Sequence, residues 1–141
     1  MSTLLDTNLV SELRKGPGRI DPNVARWAQT QRLADHWLSA ITIMELASGV
    51  ARIARRDAEQ GHHLRAWLDT SVIATFRRHI LSVDFDVALI AADLHVPNPS
   101  SERDTLIAAT ALHHHLTVAT RNTRDFECHG VATFNPWTDP R

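Results

Sequence analysis

The chain has 141 residues, of which 43% are hydrophobic, which is enough for one compact domain over residues 1–141 with a full core. Its net charge is −1, so the whole molecule lacks the basic surface of a typical nucleic-acid binder, and only local patches could attract nucleic acid. The single cysteine, Cys128, excludes an intramolecular disulfide and a cysteine-rich zinc site. There is no signal-peptide pattern and no apolar run near the ~18 residues of a membrane span, so we expect a soluble cytoplasmic protein.

Short apolar runs alternate with amphipathic helical segments in the order β-α-α-β-α-α-β-α-α-β-α-β. The predicted strands cover residues 3–5, 36–41, 80–83, 117–119 and 131–134. The predicted helices cover residues 7–13, a segment that begins at Asp21-Pro22, and residues 42–55, 58–76, 85–94 and 103–114. Strands that alternate with helices predict an α/β fold in which a mainly parallel sheet lies between helical layers.

Four acids lie at positions where we expect a strand to be followed by a helix: Asp6, Glu45, Asp104 and Asp125. In a parallel sheet, ligands bind outside the carboxyl ends of the strands, which is where these side chains are placed. Two carboxylates about 4 Å apart repel by ~4 kcal/mol at an effective dielectric of 20, so such a cluster needs protons or cations. Mg²⁺ and Mn²⁺ prefer oxygen ligands. The pattern therefore predicts a metal site.

Helix capping explains each acid separately. Thr42 to Glu45 fits a capping box, Ser101 to Asp104 fits a looser version, and Asp6 precedes a helix that begins at Thr7. For one acid alone, capping and ligation are about equally good explanations. Four acids at corresponding strand ends favour the shared site, and a cap residue can also face a phosphate.

Five stretches of sequence resemble the PIN-domain ribonucleases of the VapC toxin type. They are LLDTN at 4–8, MELASG at 44–49, RDTLIAATAL at 103–112, TRNTRDF at 120–126, and the closing segment 131–137 that ends in Asn-Pro-Trp. The resemblance implies a three-layer α/β/α fold and an RNA endonuclease that uses Mg²⁺, with Mn²⁺ as a substitute. It also implies a toxin with a cognate antitoxin, a homodimer, and an RNA substrate of the tRNA or rRNA class.

Matched position by position, Asp6, Glu45 and Asp104 fall on the three core acids of that family. Many relatives carry a fourth acid where this chain has Asn122, and Asp125 matches a further acid three residues later. Both are therefore expected metal ligands, Asn122 directly or through water. The implied mechanism is in-line attack on the RNA phosphodiester by a water that the metal activates.

Polar side chains near these acids have two interpretations each. Three arginines suit phosphate groups or pair with the acids: Arg103, Arg121 and Arg124. Three further residues could hydrogen-bond a carboxylate or the scissile phosphate, or serve as turn and cap residues: Thr7, Asn8 and Thr120. Glu102, beside Asp104, is interpreted as a solvated acid.

The sequence disfavours two other kinds of site. The nine histidines lack the i, i+4 spacing that places two metal ligands on one helix, so no zinc site is expected. Phosphatases and receiver domains of similar fold need a lysine near the acids, and Lys15 is the only lysine. The remaining alternative is a catalytically silent module of the same fold that binds RNA or a protein partner.

Overall fold

The computed structural model describes residues 1–139 and contains a five-stranded parallel sheet. The strands are β1 (Thr3–Leu5), β2 (His36–Ser39), β3 (Ile80–Leu81), β4 (Thr117–Ala119) and β5 (Thr133–Phe134), in the spatial order β3-β2-β1-β4-β5. Every neighbouring pair is parallel. The predicted α/β class with a parallel sheet is confirmed, and β1 occupies the centre of the sheet.

Helices cover both faces of this sheet. They are α1 (Thr7–Leu13), α2 (Pro22–Gln29), α3 (Ala40–Arg56), α4 (Ala58–Trp67), α5 (Ala74–Phe76), α6 (Phe85–Leu94), α7 (Glu102–His114) and α8 (Arg124–Glu127). A π-helical stretch (Leu68–Ile73) joins α4 to α5, and 3₁₀ turns (Leu33–Asp35 and Arg77–His79) precede β2 and β3. None of the helices within residues 1–139 is long and apolar enough to cross a membrane.

The alternation of side chains along the strands separates two cores. On β1, Leu5 packs with α1 to α4, whereas Leu4 packs with α7 and α8. On β4, Ala119 and Val118 divide in the same way. Successive strand residues point to opposite faces of a sheet, so each face receives its own apolar layer. The result is the predicted three-layer α/β/α arrangement.

The predicted junction between β2 and α3 is wrong by two residues. The strand ends at Ser39 rather than at residue 41, because the Ser39 hydroxyl accepts a hydrogen bond from the backbone N–H of Ile41 at 3.0 Å and caps α3. Thr42 therefore lies inside the first turn of α3, and Glu45 lies in the second turn.

Other predicted boundaries also differ from the structure. The helix predicted over 58–76 is interrupted by the π-helical stretch, which gives the segment one wide turn. Strands β3 and β5 are shorter than predicted, at two residues each. Helix α7 begins one residue early, at Glu102.

Candidate active site

Asp6 lies directly after β1 and caps α1. The side chain is 6% exposed, and its two oxygens accept hydrogen bonds from the Thr7 backbone N–H and the Thr120 hydroxyl, each at 2.8 Å. Burial raises the pKa of Asp6 above its usual value, the two hydrogen bonds lower it, and the charges of Glu45 and Asp125 raise it further. Asp6 therefore caps α1 through one oxygen and binds Thr120 through the other, while the charges of Glu45 and Asp125 act on it.

Glu45 reaches the same place from α3. Its Oε1 accepts a 2.7 Å hydrogen bond from the Thr7 hydroxyl, and its Oε2 lies 3.7 Å from Nη1 of Arg103. The capping box that the sequence allowed for Glu45 is not formed, because Ser39 caps α3 in place of Thr42. The position of Glu45 in the second turn leaves its carboxylate directed to Thr7 rather than to the helix end.

Asp104 is the third residue of α7 and is partly exposed. Its pKa is raised from 3.8 to about 6, first by burial and then by the negative charges of three acids: Asp6, Asp125 and Glu45. The looser capping box has no side-chain bond at its first residue, since Ser101 makes no capping hydrogen bond. Asp104 therefore lies close enough to the other three predicted acids for their charges to act on it.

Asp125 and Asn122 form the exposed rim of this cluster. Asp125 lies in the first turn of α8, and its backbone N–H donates to the Asn122 carbonyl at 3.1 Å. The Asn122 backbone N–H donates to the hydroxyl of Thr120 at 3.0 Å. Thr120, which also holds Asp6, therefore links the buried acid to the loop that carries the rim residues.

The arginines have separate partners. Arg103 lies beside Glu45, in the acid-pairing role, and both side chains are partly exposed, so the pair contributes little to stability. Arg121 instead places its guanidinium 5.5 Å from the ring centroid of Trp137, while its carbonyl accepts a hydrogen bond from Asn135 at 3.5 Å. The sequence did not predict this contact between Arg121 and Trp137, because Trp137 lies in a segment that follows the last strand. Arg124 is exposed.

The only lysine is engaged away from the acid cluster. Lys15 Nζ lies 2.9 Å from Glu12 Oε1 at the end of α1, and Glu12 also accepts the Asp21 backbone N–H at 2.8 Å. These hydrogen bonds hold the pKa of Glu12 below its usual value. This pairing disfavours a phosphatase-type function, which needs a free lysine beside the acids.

A second group of side chains with the donor atoms of a metal site lies elsewhere. Among residues 1–139, the three donor side chains whose ligating atoms already lie within 4.8 Å of one another are Asp84, Asp86 and His113. The four acids described above are less tightly gathered. Sequence reasoning missed this group because its members come from two different helices.

Comparisons with known proteins identify the family. A family model described as the PIN domain matches residues 3–128. The chain is 41% identical over 143 residues to Toxin FitB of Neisseria gonorrhoeae, covering 96% of this chain and 99% of that protein. It is 36% identical over 142 residues to VapC ribonuclease Y4jK of Sinorhizobium fredii, covering 95% and 96%. The solved structure described as FitAB bound to IR36 DNA fragment superposes with a TM-score of 0.88 at 35% identity, covering 99% of this chain and 98% of the other. The chain belongs to the PIN domain family.

Proposed function

We propose that this protein is a divalent-metal-dependent endoribonuclease and the toxin of a toxin–antitoxin pair. The observation that carries the proposal is the clustering of acids at the carboxyl end of the sheet, expressed in the pKa of about 6 for Asp104. Strongly shifted pKa values concentrate at functional sites, where burial and like charges are arranged to perturb them. The acids that we assign to the reaction and to metal binding are Asp6, Glu45, Asp104 and Asp125, with Asn122 as a further oxygen ligand.

The donor set fits Mg²⁺ or Mn²⁺. All the assigned side chains offer oxygen, which is the ligand that these hard ions prefer. The raised pKa of Asp6 and of Asp104 arises in part from neighbouring carboxylates, and a cation would relieve that repulsion. When bound, a divalent ion supplies a Lewis acid that lowers the pKa of water and neutralises charge on the leaving oxygen of the phosphodiester.

The chain itself orients the acids and positions the substrate. Thr120 and the backbone N–H of Thr7 fix both oxygens of Asp6, so its ionised form is hydrogen-bonded although it is buried. The Thr7 hydroxyl fixes Glu45. One threonine thus aligns two acids from different elements.

We assign two of the predicted arginines to contacts with the RNA backbone. Arg103 lies beside Glu45, and Arg121 is steadied over an aromatic ring. Planar guanidinium groups bind phosphate through paired hydrogen bonds. These contacts would hold the RNA phosphodiester next to the acids without any protein nucleophile.

The names of the relatives support one partner, the antitoxin. Two proteins that match over nearly their whole length are named as a toxin and as a VapC ribonuclease, and a toxin of this kind has a cognate antitoxin protein. From the resemblance of the motifs we further propose one functional domain over residues 1–141, a homodimer, and cleavage of tRNA or rRNA in the cytoplasm.

The test is cleavage of total RNA, including folded tRNA and rRNA, by purified antitoxin-free protein in Mg²⁺ or Mn²⁺. We expect discrete fragments that disappear with EDTA and with Asp104→Asn. The matched control is Glu102→Gln, an exposed acid in the same helical turn whose loss should leave cleavage intact. Fragments that persist in Asp104→Asn would contradict the assigned site.

The alternative is a catalytically silent PIN-fold module that binds RNA or a protein partner. The feature in its favour is Asn122, an amide where many relatives carry an acid. Folded, metal-exposed protein that cuts no more RNA than Asp104→Asn, while still retaining RNA in a filter-binding assay, would support this alternative.

A further inference from the structure

We propose that the protein holds a second metal ion, of the Zn²⁺ class, between α6 and α7. The ligands are Asp84 and Asp86 at the start of α6 and His113 in the last turn of α7, and their donor atoms all lie within 4.8 Å of one another. The set is not a cluster of acids alone, because an imidazole from a separate helix converges on the two carboxylates. The proposal does not rest on the nuclease assignment.

The two helices that carry the ligands are fixed against each other. Val87 and Ala91 of α6 pack with Ala109 of α7 in a buried apolar cluster. Asp84 is further held because its Oδ1 accepts the Val87 backbone N–H at 2.9 Å, which leaves Oδ2 for a ligand. In a tetrahedral Zn²⁺ site with bonds of about 2.1 Å, donor atoms lie roughly 3.4 Å apart. Small side-chain rotations are enough to reach that spacing.

The donor chemistry distinguishes this site from the carboxylate cluster. Imidazole nitrogen suits Zn²⁺ and similar first-row ions, whereas all-oxygen sites suit Mg²⁺ and Mn²⁺. His113 is nine residues from Asp104 along α7, which is about 13 Å at 1.5 Å per residue. Each site can therefore be filled without the other.

His114 is a neighbour of the site but is not one of its three ligands. Its ring centroid lies 4.8 Å from that of His113, in an edge-on arrangement. Two aspartates and one histidine are therefore the protein ligands, with water available to complete the coordination of an exposed ion.

An ion at this position would join the beginning of α6 to the end of α7. Binding to the folded state alone stabilises a protein by mass action. We therefore expect Zn²⁺ to raise the melting temperature, and Zn²⁺ to be retained when Mg²⁺ is present in large excess.

The experiment is calorimetric titration of the full chain with Zn²⁺ in about 10 mM Mg²⁺, a concentration chosen to occupy the oxygen site with a hard ion. We expect one Zn²⁺ to bind per chain in the wild type. The affinity should be at least tenfold weaker in His113→Gln and in Asp86→Asn, because loss of a residue that merely hydrogen-bonds a metal ligand already weakens metal binding about tenfold or more. The control is His62→Gln, an exposed histidine on α4 that also has a histidine neighbour, and its binding should be unchanged.

Three results would overturn the proposal: no saturable Zn²⁺ binding by the wild type, equal affinity in His113→Gln, or an equal loss in His62→Gln. Co²⁺ in place of Zn²⁺ gives a second measurement, in which visible absorption bands of the wild type should be absent in His113→Gln. Circular dichroism shows whether the variants are folded. Asp86 is exposed, so Asp86→Asn keeps the test valid if the histidine variant unfolds.

Discussion

Asp104→Asn should make the metal-free protein more stable. Asparagine keeps the shape of the side chain and removes the charge that burial and three neighbouring acids disfavour. The pKa of Asp104 rises from 3.8 to about 6, and one unit corresponds to 1.36 kcal/mol, so the upper limit is about 3 kcal/mol. Because the carboxylate is partly exposed, solvent screening reduces this to roughly 1–1.5 kcal/mol.

The sign of the pH dependence is fixed by the direction of the shift. Between about pH 4 and 6, the unfolded state releases this proton while the folded state retains it, so the stability of the wild type falls as pH rises. The advantage of Asp104→Asn should be absent near pH 4 and complete by pH 7. Adding Mg²⁺ should narrow the difference, because the ion stabilises the wild type by mass action.

Chemical denaturation in EDTA at pH 4 to 7 measures the free energy of unfolding for both proteins. Glu102→Gln is the control for charge at the N-terminus of α7, where an acid is worth about 0.3–1 kcal/mol. That control should be slightly less stable than the wild type. If Asp104→Asn at pH 7 were less stable than the wild type by as much as the control, Asp104 would be a helix-stabilising acid and the repulsion argument would fail.

The remaining predictions concern activity, packing and protonation. RNA cleavage should decline at acidic pH, as the clustered carboxylates take up protons and release the metal, with apparent pKa values that belong to the group. Full activity well below pH 5 would count against the site. Thr120→Val should lower the free energy of unfolding of the metal-free protein by about 1.5–3 kcal/mol, because Asp6 loses a buried hydrogen-bond donor. Thr120→Ser keeps the hydroxyl and should restore the stability. Equal stability of the wild type and both variants would refute this prediction. Gly61→Ala should lower the free energy of unfolding by about 1–3 kcal/mol, because the added methyl group would overlap α3. Gly49→Ala faces open space and should raise the free energy of unfolding by ~0.5–1 kcal/mol. The reverse order of stability in thermal denaturation would contradict this packing. Burial should hold the pKa of His36 below 6.5, so that stability falls as pH drops through that value; an NMR titration of its ring protons at or above 6.5 would contradict this.

The sequence predicted most strands and helices because their limits depend on local chemistry. Strand β1, strand β4, helix α1 and helix α6 have the predicted bounds. The predicted position of the β2–α3 junction was wrong because two residues there are good N-caps, Ser39 and Thr42. The apolar residues between them suit a strand or a helix. Both residues are fully buried, and Ser39 pairs with Leu81 of β3 as the last residue of β2, a tertiary contact that a local sequence pattern does not contain.

The sequence indicated the acids of the candidate site but not the side chains that hydrogen-bond or pair with them. Asp6 directly follows β1, so chain direction and sheet topology place it at the carboxyl edge of the sheet. Asp104 instead follows α6 and a loop, so the prediction that every acid follows a strand is wrong for this residue. The bond from Thr120 to Asp6 joins residues 114 positions apart, and the Arg121 to Trp137 contact depends on how the chain returns after β5. The donor set at His113 was missed for a related reason, since a spacing rule within one helix does not detect ligands shared between two.

The four acids are not equivalent, and their differences explain how one fold can carry such a cluster. Asp6 is buried but has two hydrogen bonds to compensate, and Glu45 has a hydroxyl donor and an arginine. Asp125 is exposed, so water screens its charge. Asp104 is partly buried and has the largest shift among the acids, caused first by burial and then by the charges of the other three acids. Because burial and repulsion together disfavour the ionised form of Asp104, a cation that binds there would stabilise the fold and complete the site in the same step.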